Sequence, residues 1–176
     1  MSGYEDGTFK PLKEISRAEF KLIEAFERFN IKSNNIKTAI DLGASPGGWT
    51  HALSQMNIKV RAVDPAELDE RVVKLKNVTH YKMTSQEYLK VAKEKYDLIV
   101  DDMKMFGDKS GHIVCNCLPL LNEKCKLLMT IKLAETKLYE QILNALSILK
   151  DCFTIISVKK LFYTRQEVIV YAQLKD

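Results

Sequence analysis

The chain has 176 residues, 46% hydrophobic and 28% charged, a length that suits one compact domain and an apolar content too high for disorder. No run approaches the ~20 unbroken apolar residues of a membrane helix, and the opening MSGYEDGTFKPLKE has acids and no apolar core, unlike a secretory signal. The net charge of +4 divides as +1 over residues 1–40 (seven basic, six acidic), zero over 41–120 (eleven of each) and +3 over 121–176 (nine against six), a weak basic bias that permits a nucleic-acid partner without demonstrating one.

Residues 1–14 read as a loosely held lead-in to a single domain spanning 1–176. Ser16-Arg17-Ala18-Glu19 fits a capping box, with Ser16 as N-cap, opening a helix that runs to about Phe29. Phe20, Leu22, Ile23, Phe26 and Phe29 supply its apolar stripe. Strands are expected at Ile36–Leu42, Lys59–Val63, Val78–Tyr81, Leu98–Val100 and Lys126–Ile131. Helices are expected at Gly47–Met56 and Ser85–Lys95, around His112–Leu121 where Pro119 limits the length, and at Glu135–Leu149 with Leu138, Ile142, Leu146 and Leu149 on one side. Phe153–Phe162 and Glu167–Leu174 are β-rich, separated by a turn at Tyr163–Gln166. Alternating β and α implies a mainly parallel sheet covered by helices, and the closing hairpin makes one strand antiparallel. The fold class is therefore α/β, a Rossmann-like sandwich, with ligands expected beyond the carboxyl ends of the strands at the topological switch point.

The strongest local signal is Asp41-Leu42-Gly43-Ala44-Ser45-Pro46-Gly47-Gly48-Trp49-Thr50, where the first strand of the sheet turns into a helix. Glycines there allow close approach of a ligand to the backbone, and the helix start offers free N–H groups. A dinucleotide fingerprint would need glycine at position 45, which is Ser45, and a P-loop would need Gly-Lys-Ser/Thr, which is absent. Asp64 ends the second strand, where a carboxylate can accept both hydroxyls of a ribose. Loop and acid together point to a nucleoside-type cofactor; each alone is ordinary turn chemistry.

Asp41–Thr50 resembles the DLGAxPGGWS/T signature of the FtsJ-type S-adenosylmethionine-dependent ribose 2′-O-methyltransferases. The resemblance runs from Ser16 to about Ala172 and is strongest to the catalytic domain of the RlmM-like subgroup, through Ile131-Lys132-Leu133 and Leu161–Val170. That subgroup modifies a cytidine ribose in large-subunit ribosomal RNA. The resemblance implies a class I methyltransferase sandwich of seven strands with S-adenosylmethionine as cofactor. It places Gly43, Ser45, Pro46, Gly47, Gly48 and Trp49 around the methionine part of the cofactor and Asp64 on its ribose, with Asp102 also beside it. Thr84 stands where the family often has an acid facing the adenine amino group, a departure that removes a charge from adenine recognition.

The resemblance further implies a catalytic tetrad of Lys21, Asp102, Lys132 and Glu167, each in matching local context: Ser16–Leu22, Asp97–Met103, the end of the fifth strand, and Arg165-Gln166-Glu167-Val168. The chemistry suits those types. A ribose hydroxyl is a poor acid, and a lysine serves as its base only if burial or nearby positive charge lowers its pKa. Lys132 is the expected base, Lys21 the second positive charge, and Asp102 and Glu167 orient the ammonium groups and the ribose; no metal is called for. The bland alternatives are a solvated lysine on a helix for Lys21, a strand-ending acid pair for Asp101-Asp102, a lysine snorkelling from a strand end for Lys132, and a Glu167–Arg165 pair across the hairpin. Many relatives follow the Asp with Ala-Pro-Asn; here Met103-Lys104-Met105-Phe106 follows, and the RlmM-like group also lacks the tripeptide.

Weaker signals remain. Cys115, Cys117, Cys125 and Cys152 read as reduced thiols of a cytoplasmic protein, and their spacing with His112 does not follow structural zinc sites. His51 and His80 have no acid or cysteine at a telling spacing and read as structural. Arg17, Arg28, Lys32 and Lys37 form either a phosphate-tracking surface or a solvated helix face. Phe162, Tyr163 and Arg165 either clamp a nucleotide or pack. The expected function is an RNA 2′-O-ribose methyltransferase acting on ribosomal RNA, as a monomer with no membrane partner. A small-molecule methyltransferase and a non-catalytic RNA-binding module with a vestigial cofactor pocket are the alternatives. With no separate RNA-capture module expected, either a ribosomal assembly intermediate supplies the binding surface or the target differs.

Overall fold

The computed structural model describes residues 14–176; the expected lead-in lies almost wholly outside them. Seven strands form one sheet: β1 (Thr38–Leu42), β2 (Lys59–Val63), β3 (Val78–Tyr81), β4 (Tyr96–Asp101), β5 (Leu121–Lys132), β6 (Phe153–Lys159) and β7 (Glu167–Leu174), in the order β3-β2-β1-β4-β5-β7-β6. All neighbours pair in parallel except β7, which runs against both β5 and β6. The chain builds outward from β1 to β3, then crosses back to lay β4 on the other side of β1. The carboxyl ends of β1 and β4, at Leu42 and Asp101, therefore flank the switch point.

The period-two alternation of strand side chains sorts the core into two layers. Ile40, Leu42, Ile99, Leu127, Met129 and Ile131 face α5 (Gly107–Asn116) and α6 (Leu138–Lys150). Ala39, Leu98, Val100, Leu128 and Ile169 face the opposite layer, with Leu22, Ala25 and Phe26 of α1 (Ala18–Arg28) and Trp49 and Leu53 of α2 (Gly48–Gln55). The same parity carries past the core. Thr130 and Lys132 follow Leu128 at intervals of two, and Glu167 precedes Ile169 by two, so these polar residues fall on the α1 side. Lys132 and Glu167 are direct cross-strand partners.

Several local expectations are corrected. Ser16 does not cap α1: Arg17 is the N-cap with no side-chain cap bond, and the Ser16 hydroxyl is buried without a partner among the described residues. Glu19 instead accepts from the Ile15 backbone N–H and faces His51 Nδ1 at 2.8 Å, so His51 has an acid partner 32 residues away in sequence. The buried face of α1 is Lys21, Leu22, Ala25 and Phe26, and Ile23 is turned outward at 38% exposure. Two helices are added or moved: a short α3 (Glu70–Val73) was not expected, and α5 begins five residues before the expected start at His112. The helix α4 (Ser85–Val91) stops short of Lys95. On α6 the buried residues are Ala145 and Leu149, while Leu138 is exposed. The strand β6 ends at Lys159, so the β6–β7 turn is longer than expected. Among the described residues no helix is long and apolar enough to cross a membrane.

Candidate active site

The loop after β1 turns sharply at Gly43, φ +73°, where an added Cβ would stand 2.5 Å from Met103 Cγ. It therefore presses against the segment following β4, joining the two strand ends at the switch point. Gly48 lies close to the same region at the start of α2: a Cβ there would stand 2.2 Å from Ser16 Oγ and 3.4 Å from the Glu19 backbone N, so the chain before α1 lies against this helix end. Trp49 is 3% exposed and donates from Nε1 to the Ala18 carbonyl at 2.8 Å, fastening α1 to α2.

That fastening delivers Lys21. Its ammonium lies 5.7 Å from the Trp49 ring centroid and reaches across to the strand ends. There it donates to both carboxylate oxygens of Asp102, at 3.0 and 2.9 Å, and pairs with Glu167 Oε1 at 2.6 Å. Lys132 donates to the other side of the same two acids, Asp102 Oδ1 and Glu167 Oε2. The four side chains close an alternating ring of two ammonium and two carboxylate groups, drawn from α1, the segment after β4, the end of β5 and the start of β7. Thr130, two residues before Lys132, donates to Asp102 Oδ1 at 2.8 Å. It belongs to the same constellation, and the strand parity of 128, 130 and 132 was the signal that could have found it. Glu167 does not pair with Arg165, and Lys21, at 6% exposure, is not a solvated helix lysine.

The ring sets its own charge states. Burial pushes Asp102 up, but the Lys132 and Lys21 ammonium groups outweigh it and hold the carboxyl below the usual range. Burial likewise pushes Lys132 down, yet Asp102 and Glu167 reverse the sign and hold it above its ordinary value. This corrects the expectation of a lysine with lowered pKa: in the closed ring Lys132 is a firmly protonated ammonium. Behind the ring, two buried acids run the other way. Asp41 is pushed up to about 8 by burial, opposed by the Thr50 hydroxyl donating at 2.6 Å and reinforced by Asp102, Asp101 and Asp64. Asp101 rises to about 6 through burial, against hydrogen bonds from the Ser110 hydroxyl and the Met103 N–H. These two acids brace the strand ends and were not assigned a role from sequence.

Clefts flank the ring on both sides. One, of about 510 Å³, is lined by Lys104, Met105, Phe106, Lys109 and Lys132. The other, of about 380 Å³, is lined by Arg17, Ala18, Lys21, Phe162, Tyr163, Arg165 and Glu167.

Residues 15–160 match the FtsJ-like methyltransferase family. The chain belongs to that family. A match of residues 1–21 to the S-layer homology domain is too short to show a second one. Among curated proteins, the chain is 31% identical to a ribosomal RNA large subunit methyltransferase M of Colwellia psychrerythraea, across 93% of this chain and 47% of that protein. The chain thus spans about half the length of the curated relatives it matches. Among solved structures, it is similar in fold to a Lactococcus lactis protein proposed to be a hemolysin, at TM-score 0.78 and 19% identity over 93% of this chain and 89% of that one. It is also similar in fold to a chain of a fibrillarin/Nop5p complex, at TM-score 0.73 and 19% identity over 98% and 89%.

FtsJ-like methyltransferases use S-adenosylmethionine, and the residues present suit it. Asp64, half-buried at the end of β2, accepts from the Ser45 and Ala66 backbone N–H groups at 3.0 and 2.8 Å. A carboxylate has about four lone-pair sites, so two remain for the hydroxyls of a ribose. Two expected contacts of the FtsJ-like site are otherwise engaged. Thr84 caps α4, accepting from the Glu87 N–H at 3.2 Å and donating to the Glu87 carboxylate at 2.8 Å. Trp49 is committed to the α1–α2 joint. The Cys115–Cys117–Cys125 region contains free thiols, and among the described residues no group of three or more His, Cys, Asp or Glu is placed to hold a metal.

Proposed function

We propose that this single domain is an S-adenosylmethionine-dependent RNA ribose 2′-O-methyltransferase acting on ribosomal RNA as a monomer in the cytoplasm, with Lys21, Asp102, Lys132 and Glu167 as its catalytic set. The observation that carries the reading is the closed ring of two lysines and two acids, brought from four distant segments to the switch point beside Asp64 and the Gly43–Trp49 loop. Its neighbourhood of exposed arginines, which make no ion pair among the described residues, and of exposed aromatics supports RNA over a small molecule.

S-adenosylmethionine, when bound, supplies a methyl group already activated on a sulfonium. The residues then have to orient a ribose hydroxyl in line with it and remove its proton. Lys21 and Asp102 fix the geometry, since the two-point contact of one ammonium on one carboxylate leaves little freedom. An entering hydroxyl that inserts between Lys132 and Glu167 breaks one of the two contacts that hold Lys132 protonated, leaving the stronger one to Asp102. Burial, the largest single influence on Lys132, is then opposed by Asp102 alone, and the pKa moves down toward that of a base. The ring is thus closed and protonated at rest and becomes basic where the substrate opens it.

Incubating the protein with methyl-labelled cofactor and unmodified large-subunit ribosomal RNA, followed by nuclease digestion, is expected to place label on a ribose 2′ oxygen. Label on a base, on protein or on a small molecule in an extract would refute the proposal.

A further inference from the structure

Resting on the reading of the ring as a ribose methylation site, we propose that the cleft on its Lys21 side is a single-nucleotide pocket. In it the base of the target nucleotide stacks on Phe162 while its ribose reaches Lys21 and Glu167, so that the substrate is unpaired RNA. Phe162 is 84% exposed, yet the turn carrying it is rigidly built. The Glu24 carboxylate on α1 accepts from the Phe162 and Tyr163 backbone N–H groups at 2.9 and 3.1 Å. The buried Thr164 hydroxyl accepts from the Leu161 N–H at 2.9 Å and donates to the Leu161 carbonyl at 2.7 Å. Tyr163 stacks on Phe20 with centroids 5.3 Å apart, and Phe162 meets Tyr163 edge-on at 5.1 Å. The backbone at Phe162 and Tyr163 is thus held, while the Phe162 ring is largely left to solvent.

What surrounds that face selects the occupant. Arg17 and Arg165 are exposed and make no ion pair among the described residues, whereas the lysines deeper in are neutralised by the ring. Two exposed guanidinium groups and an aromatic platform lining one cleft match the phosphates and planar base of a nucleotide. The ring residues at the floor are largely buried, Lys21 at 6% and Glu167 at 7% exposure. A ribose held in a duplex stack does not descend to them; a splayed nucleotide does.

The test uses the full chain with S-adenosylhomocysteine present, and a fluorescein-labelled single-stranded oligoribonucleotide from large-subunit ribosomal RNA, alone or annealed to its complement. Phe162→Ala is expected to weaken single-strand binding by about tenfold or more, leaving duplex binding and cofactor affinity unchanged. Phe162→Trp should restore binding, and because Trp49 is the protein's one tryptophan and is buried, quenching of the new emission by single-stranded but not duplex RNA reports the stack. Equal single-strand affinity of Phe162→Ala and the parent, or equal quenching by duplex, overturns the pocket. Ribose methylation by the parent, assayed in parallel, separates the two failures: methylation with an unaffected Phe162→Ala sinks only the pocket, while no ribose methylation sinks the underlying reading and the pocket with it.

Discussion

Replacing Glu167 by glutamine tests whether the ring controls the basicity of Lys132. In the closed ring Lys132 sits above the ordinary lysine value of 10.5, held there by Asp102 and Glu167 against burial. At pH 7.5 a lysine of that value is neutral in only about one molecule in a thousand, and each unit of pKa lost raises the fraction tenfold. An opposite charge in direct contact moves a pKa by about 1–3 units. Glutamine keeps the shape of Glu167 and deletes the charge, so the Lys132 pKa should fall by that amount. The profile of kcat/KM against pH reports the free enzyme. For the parent, kcat/KM should climb about tenfold per pH unit from pH 6.5 to 9.5 without a plateau. For Glu167→Gln the plateau should arrive about 1–3 units earlier, whatever the loss in absolute rate from poorer ribose positioning. A limb that stays in place, or moves to higher pH, would refute Lys132 as the base and the ring as its regulator.

Two further outcomes follow from the strand ends. Asp41, with a pKa of about 8 in the fold and about 3.9 unfolded, holds its proton in the folded state where the unfolded chain has lost it. Stability should therefore fall as pH rises between these values, by up to about 1.4 kcal/mol per pH unit; Asp41→Asn, which keeps an acceptor for Thr50, should flatten the melting temperature against pH from 5 to 8, and an unchanged slope counts against a raised Asp41. Gly43→Ala forces a Cβ at φ +73° to within 2.5 Å of Met103, costing about 3 kcal/mol. Calorimetric melting should fall by about 10 °C, and a shift under 2 °C would show that the two loops are not tightly joined.

Much of the fold was legible because it rests on local rules. β2, β3 and β7 have the bounds read from their patterns, and the antiparallel position of β7 followed from a hairpin after a run of βα units. The loop from Asp41 to Thr50 stands at the strand–helix junction its glycines implied. The four ring residues do converge, but what marked them in sequence was family likeness; only the alternation linking Thr130, Lys132 and Glu167 to the α1 side is a physical signal. What stayed hidden depends on partners far away in the chain. Ser16 looked like a cap, but Gly48 and His51 draw Ser16 and Glu19 onto α2 instead. Ile23 fits a helical stripe, but α1 is rolled by the Trp49 joint so that Lys21 points inward. The sign of the Lys132 shift was missed because it is a contest between burial and two acids, and sequence position ranks neither.

The place of β7 in the sheet carries a further meaning. β7 lies between β5 and β6, both of which precede it in the chain, so β6 is joined to the sheet through β7 alone. Glu167, its first residue, is the last ring member along the chain. Without β7 docked, the site would hold two lysines against one acid, net positive rather than neutral. The neutral charge balance of the ring and the attachment of β6 to the sheet thus depend on the same strand, β7.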